Sequence, residues 1–211
     1  MHVHSAASYD CAVAPGDVAR ELLRWGLRPV FLTDHDTLEG AHRLRDERGV
    51  RVVCGQEVTT GEGDLIGLFL SRPVLPRLGA ERAAHEIREQ GGLVYLPHPY
   101  DRRRHSLCEA TIERVRDVID IVEVHNGRCR DDENRRAEEL CEILDAARGA
   151  GSDAHTRAEL GGVYVEMEDF DGARDFLRKL AGARIVVRPS RMRMRLERVL
   201  AIANWRPATS P

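Results

Sequence analysis

The sequence predicts an α/β fold, with parallel strands and helical crossovers closed into a barrel whose site lies at the C-terminal mouth of the strands. Two observations carry that expectation. Apolar runs alternate with amphipathic segments along most of the 211 residues, the pattern of repeated strand–helix units. Seven segments also place metal-type ligands where strands should end. They are His2-Val3-His4, Asp10, Thr33-Asp34-His35-Asp36, Gly55-Gln56-Glu57, His98-Pro99, Glu123-Val124-His125-Asn126 and Gly151-Ser152-Asp153-Ala154-His155. Ligands at so many strand ends suit a closed barrel better than an open sheet with one crevice.

The elements follow in order. Val3 begins a very short first strand. Pro15 to Trp25 carries Val18, Leu22 and Leu23 at helical spacing, with Pro15 suited to a first turn and Gly26 to a stop. Val30-Phe31-Leu32 is a buried-type strand. Thr37 to Arg48 reads as helix, ended by Gly49, and Val50 to Val53 is the strand that delivers Glu57. Asp64 to Leu70 is a strand broken by Pro73 and Pro76. Gly79 to Gln90 is helical, Leu93 to Leu96 a strand, and Glu109 to Val115 a short helix. Val118 to Val124 is a strand, Asp131 to Arg148 a charged amphipathic helix, Val163 to Val165 a late strand and Asp169 to Leu180 a late helix. Residues 1–200 read as a single domain and 201–211, with Pro207 and Ser210, as a frayed tail.

Composition narrows the class. At 42% hydrophobic and 32% charged, the chain can bury a core without disulfides or structural metals. The net charge of -3 gives no general reason to expect nucleic acid. No apolar stretch reaches membrane-spanning length, and no basic-then-apolar signal segment opens the chain. The five cysteines (Cys11, Cys54, Cys108, Cys129, Cys141) are scattered without a C-x-x-C, as expected of reduced thiols in a cytoplasmic protein.

The chemistry concentrates in the strand-end segments. His2 and His4 stand two apart on a strand and share a face, as do Asp153 and His155. Mixed imidazole and carboxylate ligands suit zinc, manganese or iron, whereas calcium sites want oxygen alone. Glu57 is the natural bridge, because a carboxylate can serve two cations and a neutral imidazole cannot. Asp34 and Asp36 could orient imidazoles from behind, and Asp36 reads better as a turn or cap residue with Thr37. His42 and His85 fall in charged helices and read as solvent-facing. His125, two from Glu123, could face the mouth. Arginine suits phosphate oxygens, and Arg102, Arg103 and Arg104 follow His98, while Arg128 and Arg130 follow Asn126.

In this order the segments resemble the PHP (polymerase and histidinol phosphatase) family of metal-dependent phosphoesterases. The resemblance rests on His2-Val3-His4-Ser5, Asp10, Thr33-Asp34-His35-Asp36-Thr37, Gly55-Gln56-Glu57, His98-Pro99, Glu123 with Asn126, and Gly151-Ser152-Asp153-Ala154-His155, spanning residues 2–155. It implies a distorted (β/α)7 barrel with two or three divalent ions (manganese, zinc or iron) at its mouth, and a trinuclear site in the fullest form. His2, His4, Glu57 and Asp153 would hold one ion. Glu57 and His98 would hold a second, and Asp10, His35 and His155 a third. Asp64 stands where the family often has another histidine for the second ion.

The implied activity is hydrolysis of a phosphate ester by metal-activated water. Glu57, His35 and His155 are the expected catalytic residues. Asn126 and the arginines Arg102, Arg103, Arg104 and Arg128 are expected to bind substrate. A short chain without a large insertion favours a small phosphomonoester such as a nucleotide, a sugar phosphate or histidinol phosphate. One alternative is exonuclease action on nucleic-acid ends. The other is a non-catalytic scaffold, which ranks last because such copies should lose ligands.

Overall fold

The computed structural model describes residues 1–188, so the expected tail and the end of the expected domain lie outside the described residues. A six-stranded sheet runs in the order β1 (Val30–His35), β2 (Val52–Thr59), β3 (Asp64–Leu68), β4 (Leu93–Leu96), β5 (Ile121–Asn126), β6 (Ala147–Gly151). Residues 1–4 join its two edges. Val3 bridges Ala154 in parallel, the Asp153 N–H donates to His2 O at 2.8 Å, and the Thr33 N–H of β1 donates to Val3 O at 2.9 Å. The sheet therefore curls into a barrel, with the His2-Val3-His4 segment as its last stave.

Helices α1 (Pro15–Arg24), α2 (Glu39–Arg45), α3 (Ala80–Glu89), α4 (Glu109–Val115) and α5 (Asp131–Leu144) cover the outside. Val18, Leu22, Leu44, Ile87 and Ile112 from these helices pack on Leu32, Leu65, Val94 and Val122 of the strands in one buried layer. The alternate strand residues Val53, Ile66, Leu68, Tyr95 and Ile121 fill the barrel interior with Phe170, Phe176 and Leu180. The last two belong to α6 (Gly172–Leu180), which connects the two strands of a small antiparallel sheet, β7 (Val163–Glu166) and β8 (Arg184–Val187). No helix among the described residues is long and apolar enough to cross a membrane.

Three expectations need correction. The sheet is not wholly parallel, since β3 runs antiparallel to both β2 and β4. The four residues Thr60-Gly61-Glu62-Gly63 leave room for a hairpin and none for a helical crossover. Reversal has a consequence for the site, because the N-terminal residue of β3, Asp64, now lies at the end where the parallel strands finish. The helix expected over 131–148 stops at Leu144, where Asp145 turns left-handed (φ 51°). Ala147–Gly151 then forms β6, although Ala-Arg-Gly-Ala-Gly carries no β-branched residue. Finally, the late helix begins at Gly172, three residues after the expected start.

Candidate metal centre

Strand polarity gathers the expected ligands. β1 ends in His35, β2 carries Glu57 near its end, β4 leads to His98, β5 brings Glu123 and Asn126, and β6 leads to Asp153 and His155. Asp64 shares strand parity with the interior residues Ile66 and Leu68, so it too points inward at the mouth. At Gly151 a Cβ would lie 2.3 Å from His2 Cβ and 2.8 Å from Glu123 Oε1, so only glycine lets the first stave seat there. His98 (φ 29°) and Asp153 (φ 50°) hold left-handed backbone conformations that cost a non-glycine residue energy and cluster at functional sites.

The side chains converge on Glu57. Its Oε2 lies 3.1 Å from His2 Nε2, 3.2 Å from His4 Nε2 and 3.5 Å from His35 Nδ1, and its Oε1 lies 3.0 Å from His98 Nε2. Asp153 Oδ1 stands 3.6 Å from His2 Nε2 and 3.4 Å from His4 Nε2. Asp10 Oδ2 lies 2.9 Å from His155 Nε2 and 3.5 Å from His35 Nε2. Among the described residues, three sets around Glu57 could each hold a cation: His2, His4 and Asp153; His2, Glu57 and His98; and His4, His35 and His155; a fourth, Asp101, Cys129 and Glu133, shares none of these residues.

The hydrogen bonds behind these groups show that a cation fits. His2 Nδ1 faces Glu123, an acceptor at 3.1 Å, so its proton sits on Nδ1. Ser8 Oγ donates to Asp34 Oδ1 at 3.0 Å and so accepts from His4 Nδ1 at 3.2 Å. Both Nε2 atoms then present lone pairs, yet they stand 3.0 Å apart and face two carboxylate oxygens. With both rings neutral, four acceptors aimed at one point repel unless a cation lies there, and without an ion a proton on His2 Nε2 takes that place. The buried atoms Asp153 Oδ1 and His35 Nδ1 find no hydrogen-bond partner among the described residues, which ion ligation would supply.

Glu123 is the main anchor, and its sequence segment alone did not reveal that role. Fully buried, it accepts from His2 Nδ1, from Tyr95 OH at 2.9 Å, from His98 N–H at 2.9 Å and from Asn126 Nδ2 at 2.9 Å. The available signal was a lone carboxylate inside the apolar run Ile121-Val122-Glu123-Val124. Asp34 plays a similar part, accepting from Ser5 N–H at 2.6 Å and Ser5 Oγ at 2.8 Å as well as from Ser8. Asp36 is a turn residue (φ 55°) that accepts from Thr59 N–H and caps no helix.

Asn126 is spent on the frame. It donates to Glu123 and to Asp153 Oδ2 and accepts from Arg128 N–H. A bulge between Glu123 and His125 breaks the strand parity that would have turned His125 to the mouth. Burial lowers His125 against the charges of Asp131, Glu123 and Glu138, and it belongs to none of the candidate ligand sets. His85 is exposed and pairs with Glu89, whereas His42 is half-buried.

The arginines divide. Arg104 pairs with Asp153 and Asp101, and Arg128 Nη1 lies 2.7 Å from His155 Nδ1, so both reach the ligands. Arg103 is engaged by Asp101 at 3.0 Å and by Arg128 O at 2.7 Å. Arg102 is exposed beside Tyr100 and Arg136, away from the ligands. Asp64 Oδ1 lies 3.2 Å from His105 Nδ1.

Electrostatics follows from this crowding. Burial opposes charge on His2, but Glu57 and Glu123 outweigh it and push the imidazole up to about 9. Burial likewise opposes ionisation of Glu123, and His2 with its other donors holds it down at about 2. Burial and the Glu57 charge push Asp64 up to about 6, against His98 and His105. Burial, then His4, brings His155 down to about 4, and burial also lowers His35.

A pH dependence of ion uptake follows. Without an ion His2 is protonated below about 9, and a ligating imidazole must be neutral. Uptake therefore releases a proton, and affinity rises with pH until about 9. Manganese affinity, measured by competition with a chelator, is expected to gain about tenfold per unit between pH ~6.5 and ~8.5 from this group. A flat profile across that range would remove His2 from the ligand set.

Comparisons with known proteins agree with the geometry. The family model described as PHP-associated matches residues 131–185. An uncharacterized protein of Methanocaldococcus jannaschii is 34% identical over 177 residues, covering 81% of this chain and 70% of the relative. Among solved structures, a two-domain protein of Bacteroides vulgatus containing a predicted PHP-like metal-dependent phosphoesterase superposes with a TM-score of 0.57 at 22% identity, over 73% of this chain and 50% of that one. The lesion-specific endonuclease of Pyrococcus furiosus superposes with a TM-score of 0.60 at 16% identity, over 88% and 56%. With its ligand segments in order around one barrel mouth and these relatives beside it, the chain belongs to the PHP family.

Proposed function

We propose that the protein is a metal-dependent phosphoesterase that hydrolyses a small phosphomonoester. The observation that carries this reading is the convergence of His2, His4, His35 and His98 on the two oxygens of Glu57, with Arg104 and Arg128 at the same ligands. His2, His4, Glu57 and Asp153 would hold one ion, Glu57 and His98 with Asp64 a second, and Asp10, His35 and His155 a third. Divalent ions held there supply Lewis acidity for the attack of water on phosphorus.

The residues of the chain do the positioning. Glu123 fixes the imidazole of His2 and the backbone of His98. Ser8 and Asp34 fix His4. His35 and His155 are both lowered, so they act near neutral pH as neutral ligands and do not protonate the leaving group. Arg104 and Arg128 exchange part of their contacts with Asp153 and His155 for the non-bridging phosphate oxygens.

The test is a screen of phosphomonoesters, phosphodiesters and short oligonucleotides against protein loaded separately with manganese and zinc. Arg104→Ala and Arg128→Ala are expected to lower kcat/KM about 10- to 100-fold for every phosphate ester alike, as loss of a charged hydrogen bond implies. Arg103→Ala is expected to change it less. Equal effects of all three would undo the division of roles.

The fold likeness to a lesion-specific endonuclease supports a second reading, action on nucleic acid. Several arginines would then track successive phosphates and KM would rise steeply with salt. The net charge of -3 favours the small substrate. Efficient oligonucleotide turnover with a steep salt slope would reverse that choice.

A further inference from the structure

Tyr9 is the most exposed large apolar side chain among the described residues, at 82%, and it sits at the mouth. Its neighbours in sequence are Ser8, which holds His4, and Asp10, which faces His35 and His155. One face of its ring stacks on the His35 imidazole, with centroids 5.0 Å apart and planes 25° apart. His35 in turn stacks on His4 at 4.6 Å and 26°. His35 faces Asp10 and Glu57 with its two ring nitrogens, so the stack sets the Tyr9 ring at the mouth.

A rigid aromatic ring with one face fixed and the other open offers a surface for a planar group. The bonds that hold His4 to Ser8 and the His35 backbone to the same hydroxyl are made without the Tyr9 ring. A phosphate gripped by Arg104 and Arg128 would lie against Asp153 and His155. The organic part of the ester then leaves toward Asp10 and Tyr9, because Asp10 links His155 to His35 and His35 carries the Tyr9 ring.

Resting on the phosphoesterase reading, we propose that Tyr9 is the specificity-determining residue of the site, stacking its open face on the nucleobase of a nucleotide substrate. Sugar phosphates without a base would gain nothing from it. Base stacking on an aromatic side chain is strong enough to show as a change of about tenfold or more on truncation, and it tolerates any base because each has a π-face. Phenylalanine would serve as well as tyrosine.

The experiment compares adenosine 5′-monophosphate, ribose 5-phosphate and a short single-stranded oligonucleotide, by titration calorimetry and by kcat/KM on the metal-loaded protein. Wild type is expected to bind the mononucleotide at least about tenfold more tightly than ribose 5-phosphate. Tyr9→Ala should erase that difference while leaving ribose 5-phosphate within about twofold, and Tyr9→Phe should restore it. A difference seen with the oligonucleotide as well would place the base at a nucleic-acid end, and one confined to the mononucleotide would place it in a free nucleotide. Equal loss for the base-bearing and base-free ligands would show Tyr9 to be a mere support for His35 and overturn the proposal. So would no loss for either, or no binding of either by wild type. If base-selective binding persists while no ester in the screen is hydrolysed, the phosphoesterase reading fails and the stacking role stands.

Discussion

Glu57→Gln is expected to abolish phosphate-ester hydrolysis while the barrel survives. Glu57 is fully enclosed and, without an ion, held well below the usual carboxylate range, because the charge of His2 and the close imidazole nitrogens of His2, His4 and His98 overcome the cost of burial. Both oxygens face imidazole nitrogens at 3.0–3.2 Å. An amide keeps one oxygen and replaces the other with a donor. That donor would bond to an imidazole lone pair directly, sealing the gap with no cation in it. The loss of turnover should exceed the ~10–100-fold typical of removing a group behind a ligand. Elemental analysis should find fewer ions per chain, and circular dichroism should find the fold intact. Near-normal turnover would refute the bridging assignment.

Glu123→Ala should instead damage the fold. It strips the acceptor from four buried donors at once: His2 Nδ1, Tyr95 OH, His98 N–H and Asn126 Nδ2. It also leaves His2, whose charge it helps to hold, without a counter-ion on that side. Breaking a buried charged pair from one side costs about 3–5 kcal/mol. For a domain of this size that corresponds to roughly 10 °C in melting temperature. Glu123→Gln, which keeps one oxygen as acceptor, should lose less than half of that. Ion affinity should fall about 10- to 100-fold in either variant, because the imidazole is no longer oriented. A melting temperature within about 2 °C of wild type for Glu123→Ala would show that the network adds little.

The two variants separate what could be read from the chain and what could not. Glu57 was legible: a carboxylate after Val52-Val53-Cys54-Gly55 announces itself by position, and the barrel brings it among the expected histidines. Glu123 stood in an equally informative segment, but its function is to hold His2 from β5, across β6 and 121 residues away in sequence. Spacing cannot express such a contact. The arginines teach the same lesson. All five candidates follow strand ends, yet Arg103 is consumed by Asp101 and Arg104 reaches Asp153, a distinction made by partners and not by position.

By itself the sequence determined the alternation of strands and helices, the ligand types and the end of the barrel at which they gather. Those properties are local: hydrophobic period, chain breakers and the residue that follows an apolar run. The tertiary structure decided the reversal of β3, which carries Asp64 to the mouth, and the bulge that turns Asn126 inward in place of His125. It decided that residues 1–4 close the sheet between β1 and the chain after β6, and that the poor strand former Ala147–Gly151 is a strand at all. Each of these depends on hydrogen bonds and close approaches between segments far apart in sequence, where a glycine beside His2 or a shift of one residue in register outweighs local preference.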